Sequence, residues 1–193
     1  MTAAPAPWVN RQWLLAARPI GRGVLESDFR LAESPAPAPA DGQFLVRTLY
    51  LSVAPVMRRY MIDGAGFEKP LAIGEVMRGR GVGVVVESRH PDYAPGEIVQ
   101  GKLGWQDYSL SDGSPWYMMY KVRQRVAPLS TGIGVLGVTG FTSYIGLIDI
   151  GQLRPGDRVL VSGAAGGVGS SVAQIAKLSG ASRVVGIAGS RDK

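Results

Sequence analysis

The sequence predicts a mixed β and α/β fold, in which a β-rich N-terminal domain precedes the start of a doubly wound parallel sheet. Short strand-like runs separated by Gly, Pro and Asp occupy residues 1–125, as in antiparallel, barrel-like domains. After them a helix-like segment leads into a strand, a glycine cluster, a helix and a second strand. We therefore predict two domains, residues 1–125 and 126–193, and 46% hydrophobic residues suffice for a packed core.

The strands of the first domain are predicted from their apolar runs and turn residues. They cover residues 12–17, 43–52, 82–87 and 98–103. The proline-rich residues 34–42 are predicted as a stiff surface loop. The glycine-rich residues 79–83 lead into a strand without the Gly-Lys-Ser/Thr of a phosphate loop, so we expect a bulge or a turn there.

The second domain is predicted to begin with a helix over residues 139–150. Its stripe of large apolar side chains consists of Phe141, Tyr144, Ile145 and Ile148, and Gly151 lies just beyond its end. Residues 158–162 are an apolar run typical of a buried parallel strand, and a helix follows the glycines up to Gly180. That helix carries Val168, Val172, Ile175 and Ala176 on one face, and residues 183–188 form the next strand.

Two stretches resemble a dinucleotide-binding glycine pattern. Residues 132–137 satisfy G-x-G-x-x-G literally but follow no strand, so they are interpreted as a glycine-softened linker or helix start. The pattern Ala164-x-Gly166-x-x-Gly169 lacks the first glycine, yet strands flank it and a helix follows it. Such a turn presents backbone N–H groups and a positive helix end to a pyrophosphate. The alternative is a β-α-β piece of another fold without a nucleotide.

The end of the second strand distinguishes between the two nicotinamide cofactors. An NAD site usually has an acidic residue about 20 residues beyond the glycines. Here the residues are small and neutral up to Ser190, followed by Arg191, Asp192 and Lys193. Space for a 2′-phosphate and nearby donors favour NADP, whereas the acidic Asp192 is a feature typical of an NAD site. The predicted cofactor-binding residues are Gly166, Gly167, Val168, Gly169, Ser190 and Lys193.

Composition excludes several kinds of site. With no cysteine and one histidine, thiol catalysis, disulfides and a zinc site of Cys and His ligands are excluded, and no metal is predicted. The net charge of +6 comes from scattered basic residues without a run or an aromatic-interleaved patch, so we expect solvated surface and no nucleic-acid partner. No apolar run could span a membrane and no export signal is visible, which makes a cytoplasmic location the expectation.

Eight segments spread along the chain together form a specific pattern. They are DG at 41–42, TLYLSV at 48–53, GEVM at 74–77, VVVES at 84–88, GWQDY at 104–108, VSGAAG at 161–166, QIAKL at 174–178 and VVGIAGS at 184–190. With them the chain resembles the zinc-free medium-chain reductases, in the branch of prostaglandin, alkenal and curcumin reductases. The resemblance implies a GroES-like domain, a Rossmann domain, a homodimer and NADPH in the cleft between the two domains. It also implies hydride transfer to the β-carbon of an α,β-unsaturated ketone or aldehyde.

The resemblance also implies roles for individual residues. Thr142 matches a threonine that contacts the nicotinamide, and Lys193 matches a lysine that reaches the 2′-phosphate. Tyr108 lies in a segment near the active-site cleft, with a half-buried core tyrosine as the alternative. Val56 replaces the tyrosine of the family's Asp-Pro-Tyr-Met-Arg, and Ala54 replaces its aspartate, which implies a more apolar substrate pocket. No catalytic residue is assigned.

Two other functions remain open at this point. One is a quinone reductase of the same superfamily, and the other is a non-catalytic protein that keeps the cofactor fold and binds single-stranded nucleic acid. The 24 residues after Gly169 cannot complete a sheet of about six strands. We therefore expect the chain to be the N-terminal part of a longer protein and to be inactive as a reductase alone.

Overall fold

A computed structural model describes residues 8–62, 69–122 and 127–190. The chain divides into two compact units, Met1–Leu129 (unit 1) and Ser130–Lys193 (unit 2). The predicted boundary between residues 125 and 126 lies outside the described residues.

Unit 1 consists of antiparallel strands. Strands β1 (Val9–Leu15) and β2 (Phe29–Pro35) form a two-stranded ribbon. The five-stranded sheet has the order β6-β3-β4-β5-β7. Its strands are β3 (Phe44–Leu51), β4 (Arg80–Ser88), β5 (Ile98–Lys102), β6 (Tyr108–Ser111) and β7 (Tyr120–Lys121), and the short helix α1 (Met57–Tyr60) follows β3.

The four predicted strands of this unit are confirmed with shifted ends, and β2, β6 and β7 were not predicted. The loop predicted over residues 34–42 begins later, because β2 extends through Pro35. Of the two alternatives predicted for residues 79–83, a bulge or a turn, the turn is wrong, since β4 starts at Arg80. An irregular register nevertheless lies beside these glycines, between Thr48 and Tyr50 of β3. A Cβ on Gly81 would lie 2.8 Å from the Tyr50 carbonyl oxygen, so the strands approach closely there.

Two clusters of buried side chains form the core of unit 1. One cluster contains Leu15, Met57, Met61, Leu71 and Met77, and the other contains Phe44, Val46, Val85, Val99 and Leu103. Burial of each such side chain contributes about 1.5–3 kcal/mol of hydrophobic free energy. Both clusters include residues from different strands and loops, so they fix how the short strands assemble.

Unit 2 contains one parallel β-α-β element preceded by a helix. After a 3₁₀ turn (Leu129–Ile133), α2 (Val138–Tyr144) continues as a π-helical turn (Ile145–Ile150). Then follow β8 (Arg158–Ser162), α3 (Gly167–Leu178) and β9 (Arg183–Ile187), with β8 and β9 parallel. Both strands are confirmed as strands, and the end of α3 is confirmed, since Gly180 has a φ of +87° just beyond that helix. The burial predicted for residues 158–162 is wrong, because Val161 is the one buried residue of β8 and Leu160 is 68% exposed.

The helix predicted over residues 139–150 exists, but its second half is π-helical. Its predicted apolar stripe is also exposed in places, because Phe141 is 67% and Tyr144 52% accessible. The buried residues of α2 are Gly140 and Ser143 instead. Close backbone packing explains this choice, since a Cβ on Gly140 would collide with the Val135 carbonyl group.

Candidate functional site

The glycine turn between β8 and α3 is held at both ends by backbone hydrogen bonds. Gly163, in the left-handed region at φ +60°, accepts a hydrogen bond from the Gly166 amide at 2.9 Å. The Ala164 amide donates to the Ile187 carbonyl oxygen at 2.9 Å, which ties the turn to the end of β9. The turn is therefore positioned by both strands.

The first turn of α3 presents backbone amides without protein acceptors. Within residues 127–190, the amides of Gly167, Val168 and Gly169 donate to no protein acceptor, and that of Ser170 donates to the Gly166 carbonyl oxygen at 2.9 Å. Free amides and the positive end of the helix dipole together attract an anion. The predicted residues thus form a turn with the chemistry of a phosphate-binding site.

One glycine at the start of α3 and one in β9 leave no space for a side chain beside the turn. A Cβ on Gly169 would meet the Gly163 carbonyl oxygen and lie 2.8 Å from the Ala164 Cα. A Cβ on Gly186 of β9 would lie 2.6 Å from the Ala164 Cβ. The close approach of helix, turn and strand therefore requires these glycines, and bare backbone remains available to a ligand.

Helix α2 packs against the start of α3 through a serine that the sequence analysis did not identify. The Ser143 hydroxyl is fully buried and lies 2.8 Å from the Thr139 and 3.0 Å from the Val168 carbonyl oxygen, so it shares its proton between them. The next residue back, Thr142, is exposed and donates to the Val138 carbonyl oxygen at 2.7 Å. The structure thus brings the helix of Thr142 to the glycine turn. The sequence signal that could have identified Ser143 is a serine within a helix that also contains glycine, where a hydroxyl can bond backbone carbonyl groups.

An open pocket with a volume of about 580 Å³ adjoins the glycine turn. The turn contributes Gly166, Gly167 and Val168, while Leu147 of the π-helical turn and Leu160 of β8 contribute apolar walls. Polar amides beside an apolar wall suit a ligand that is both charged and planar or apolar. All lining residues belong to unit 2.

The remaining predicted site residues lie elsewhere. Ser190 is exposed beyond the end of β9, and Lys193 lies outside the described residues, as do Arg191 and Asp192. In unit 1, Val56 precedes α1 and is 44% exposed. Tyr108 is buried and stacks on Trp8 with 5.4 Å between ring centroids.

An ion pair between the exposed Arg22 and the buried Asp28 anchors the loop that contacts α1. The Arg22 guanidinium donates to both oxygens of the fully buried Asp28 carboxylate, which also accepts the Leu25 amide at 2.8 Å. These contacts, the arginine first, lower the pKa of Asp28 from its ordinary 3.8 to about 2. Arg58 of α1 in turn donates to the Arg22 carbonyl oxygen at 2.6 Å. This network links residues far apart in sequence and was not predicted.

The described part of the chain lacks two further kinds of feature. No cluster of three or more His, Cys, Asp or Glu side chains there could hold a metal ion. No helix among those residues has the length and apolar character needed to cross a membrane.

The chain is similar to known oxidoreductases. Residues 11–119 match the family described as the N-terminal domain of oxidoreductase. Over 184 residues the chain is 48% identical to the NADPH-dependent curcumin reductase of Escherichia coli K12, covering 95% of this chain and 52% of that protein. It is 40% identical to prostaglandin reductase 1 of Bos taurus over 183 residues, covering 95% and 53%.

A solved structure gives the same result. The crystal structure of CurA in complex with NADPH from Vibrio vulnificus has a TM-score of 0.82 at 43% identity, covering 94% of this chain and 52% of that chain. The chain thus spans about half the length of the relatives it matches. The predicted fold class, a GroES-like domain followed by a Rossmann-type sheet, is confirmed. The chain belongs to the zinc-independent branch of the medium-chain dehydrogenase/reductase family that contains the curcumin and prostaglandin reductases.

Proposed function

We propose that the protein carrying these residues is an NADPH-dependent reductase of the C=C bond in α,β-unsaturated ketones or aldehydes. The observation that carries the proposal is the turn at residues 166–169, where three amides have no acceptor among the described residues and glycines leave the backbone bare. The 48% identity to an NADPH-dependent reductase supports the same cofactor. In this proposal, the chain described above supplies the pyrophosphate-binding part of the site.

The residues present fit a phosphorylated dinucleotide. Phosphoryl oxygens are acceptors, so they complement the amides of Gly167, Val168 and Gly169. Ser190 can donate a hydrogen bond to the 2′-phosphate, and we assign its charge partner to Lys193. When bound, NADPH supplies the hydride for the double bond. Thr142, on the helix packed against the glycine turn, is assigned to orienting the nicotinamide.

The names of the relatives support a small-molecule substrate. They include reductases named for curcumin, prostaglandins and (+)-pulegone, the last from Mentha piperita at 37% identity. We propose an enone or enal as the acceptor. Val56 places an apolar side chain where the family has a tyrosine, so a substrate with an apolar flank is favoured there.

The test uses the natural-length protein and follows the loss of NADPH absorbance with an alkenal, curcumin or a quinone. We expect turnover of the alkenal or curcumin, with kcat/KM at least about tenfold higher for NADPH than for NADH, since pairing of the 2′-phosphate contributes about 1.4 kcal/mol or more. Equal use of NADH would contradict the cofactor assignment. Turnover of the quinone alone would identify a quinone reductase instead.

The charge partner of the 2′-phosphate has its own test. Lys193→Ala should raise the KM for NADPH and leave that for NADH unchanged. Lys177→Ala, at an exposed position in the last turn of α3, is the matched control because it removes the same charge from the same unit. An equal effect of both variants would indicate a general loss of positive field rather than a phosphate contact.

We also propose an oligomeric state and a cellular location for the natural-length enzyme. We propose a homodimer, which light scattering of the natural-length protein would show as twice the monomer mass, and a monomer would contradict it. We propose a cytoplasmic location, which cell fractionation tests.

A further inference from the structure

Met118 combines a left-handed backbone with an exposed side chain. It ends a 3₁₀ turn (Pro115–Tyr117) with a φ of +46°, a conformation that residues other than glycine rarely adopt. Its side chain is 38% exposed, which is more than that of any other methionine among the described residues. The others are Met57, Met61 and Met77, which are buried, and Met119, which is partly buried. Met118 is therefore the described methionine most accessible to a small solute.

The Met118 sulfur contacts a guanidinium whose hydrogen bonds are incomplete. Arg80, the first residue of β4, donates from Nη2 to the Met118 Sδ at 2.7 Å. Its Nη1 is buried and has no hydrogen-bond partner in the part of the chain that the structure describes. A thioether is a weak acceptor, and a buried donor without an acceptor destabilises a fold. A stronger acceptor at the position of the sulfur would therefore stabilise the Arg80 guanidinium.

We propose that Met118 is a site of oxidation to methionine sulfoxide, and that the sulfoxide oxygen accepts hydrogen bonds from the Arg80 guanidinium. Oxidation places a polar oxygen on the sulfur, which disrupts a packed core. At Met118 the same oxygen lies one bond from a guanidinium that lacks a good acceptor. The modification therefore stabilises unit 1 instead of disrupting it. The proposal concerns unit 1 alone and does not depend on the proposed reductase activity.

The oxidant is hydrogen peroxide. A lone pair of the Met118 Sδ attacks one peroxide oxygen, so that an S–O bond forms and the O–O bond breaks. The second oxygen leaves with the electron pair of that bond, takes the proton of the transferred hydroxyl group and departs as water. Sulfur is thereby oxidised by two electrons and the peroxide is reduced by two. Sulfur has two lone pairs, so the contact with Arg80 leaves one for the attack. Rotation about the Cγ–Sδ bond then turns the new oxygen toward the guanidinium.

Peptide mass spectrometry after brief treatment of the natural-length protein with dilute hydrogen peroxide tests the first half of the proposal. Fragmentation distinguishes the adjacent Met118 and Met119, and each oxidised residue gains the mass of one oxygen atom. We expect Met118 to be oxidised at least about tenfold faster than Met119 and the buried Met57, because the rate follows exposure of the sulfur. Oxidation of Met119 at the same rate or faster would overturn the proposal.

Thermal unfolding tests the second half. The protein oxidised at Met118 should have a Tm about 2–4 °C higher than the unoxidised protein, the shift expected for one added hydrogen bond to a charged group. Met118→Gln tests the same contact without an oxidant, because its amide oxygen is an acceptor near the position of the sulfoxide oxygen. Its Tm should exceed that of Met118→Leu, which has no acceptor, by a similar amount.

Combined variants attribute the effect to Arg80. The difference between Met118→Gln and Met118→Leu should vanish when Arg80→Leu is added. It should persist with Arg47→Leu, the matched control, which removes an exposed arginine from the neighbouring strand β3. A Tm that is lower or unchanged after oxidation, or a difference that persists with Arg80→Leu, would each overturn the proposal. The two forms of the unaltered protein decide the question even where a variant does not fold.

Discussion

Replacing Gly169 by alanine should destabilise unit 2 by about 2 kcal/mol, in the middle of the range for overpacking. The added methyl group would meet the Gly163 carbonyl oxygen and lie 2.8 Å from the Ala164 Cα. Both are backbone atoms, so no side chain can rotate away to relieve the clash. Relief requires α3 to move from the turn, or the turn to move from β9, to which the Ala164–Ile187 hydrogen bond ties it.

Thermal unfolding followed by circular dichroism measures this change. For a chain of this length, about 2 kcal/mol corresponds to a fall in Tm of about 4–8 °C. Gly146→Ala is the control, because nothing lies within 4 Å of a Cβ there, and an alanine in a helical segment should be neutral or slightly stabilising. Equal Tm values for Gly169→Ala and Gly146→Ala would refute the packing argument. Added NADPH should raise the Tm of the unaltered protein more than that of Gly169→Ala, since the clash displaces the binding amides.

Three other predictions follow from single contacts. Ser143→Ala should lower the free energy of unfolding in urea by about 1 kcal/mol, because two carbonyl groups lose their shared donor. Thr142→Ala, at an exposed position, should change it by less than about 0.5 kcal/mol. Asp28→Asn should make the free energy of unfolding fall less on acidification. The pKa of Asp28 in the folded protein is lowered to about 2, so its contribution to stability is complete above about pH 4 and is lost as the pH falls through 2. Val56→Tyr should leave Tm unchanged, since Val56 is 44% exposed, but should alter kcat/KM for the acceptor.

Each of these predictions has a result that contradicts it. Equal unfolding midpoints of Ser143→Ala and Thr142→Ala would remove the role of Ser143 as a link between α2 and α3. Asp41→Asn, at a carboxylate that is 99% exposed, should retain the acid transition, and so an equally flat profile would exclude Asp28 as its source. Acceptor kinetics unaffected by Val56→Tyr would place Val56 outside the substrate pocket.

The parts of the fold that could be predicted are those determined by residues close together in the sequence. β8, the glycine turn, α3 and β9 follow from an apolar run, a glycine cluster, a helical stripe and a terminal glycine, all within about 30 residues. β2 was missed because Pro35 and the prolines after it indicate a loop, although an edge ribbon tolerates proline at a strand end. The π-helical turn was missed because its side-chain pattern is still that of a helix.

The candidate site shows the same division. Gly166 and Gly169 were identified from their spacing together with the strands and the helix around them, whereas the contacts that hold the turn were not. The Ser143 hydroxyl bonds a carbonyl oxygen 25 residues away, and the Arg58 guanidinium bonds the Arg22 carbonyl oxygen 36 residues away. Such partners depend on how separate elements pack, and neither periodicity nor composition carries that information. The placement of Tyr108 against Trp8 is of the same kind.

The two glycine patterns show why the structural context decides between them. Residues 132–137 match G-x-G-x-x-G literally and also lead into a helix, with Gly137 preceding α2. There, however, the Gly140 amide in the first turn donates to the Gly134 carbonyl oxygen, at 3.4 Å, and α2 has only seven residues. In α3 the corresponding amide of Gly169 has no acceptor among the described residues, because Gly163 follows β8, Ala164 is bonded to β9, and the first turn stays open. Glycine spacing permits a tight turn, but the flanking strands determine that its amides remain available to an anion.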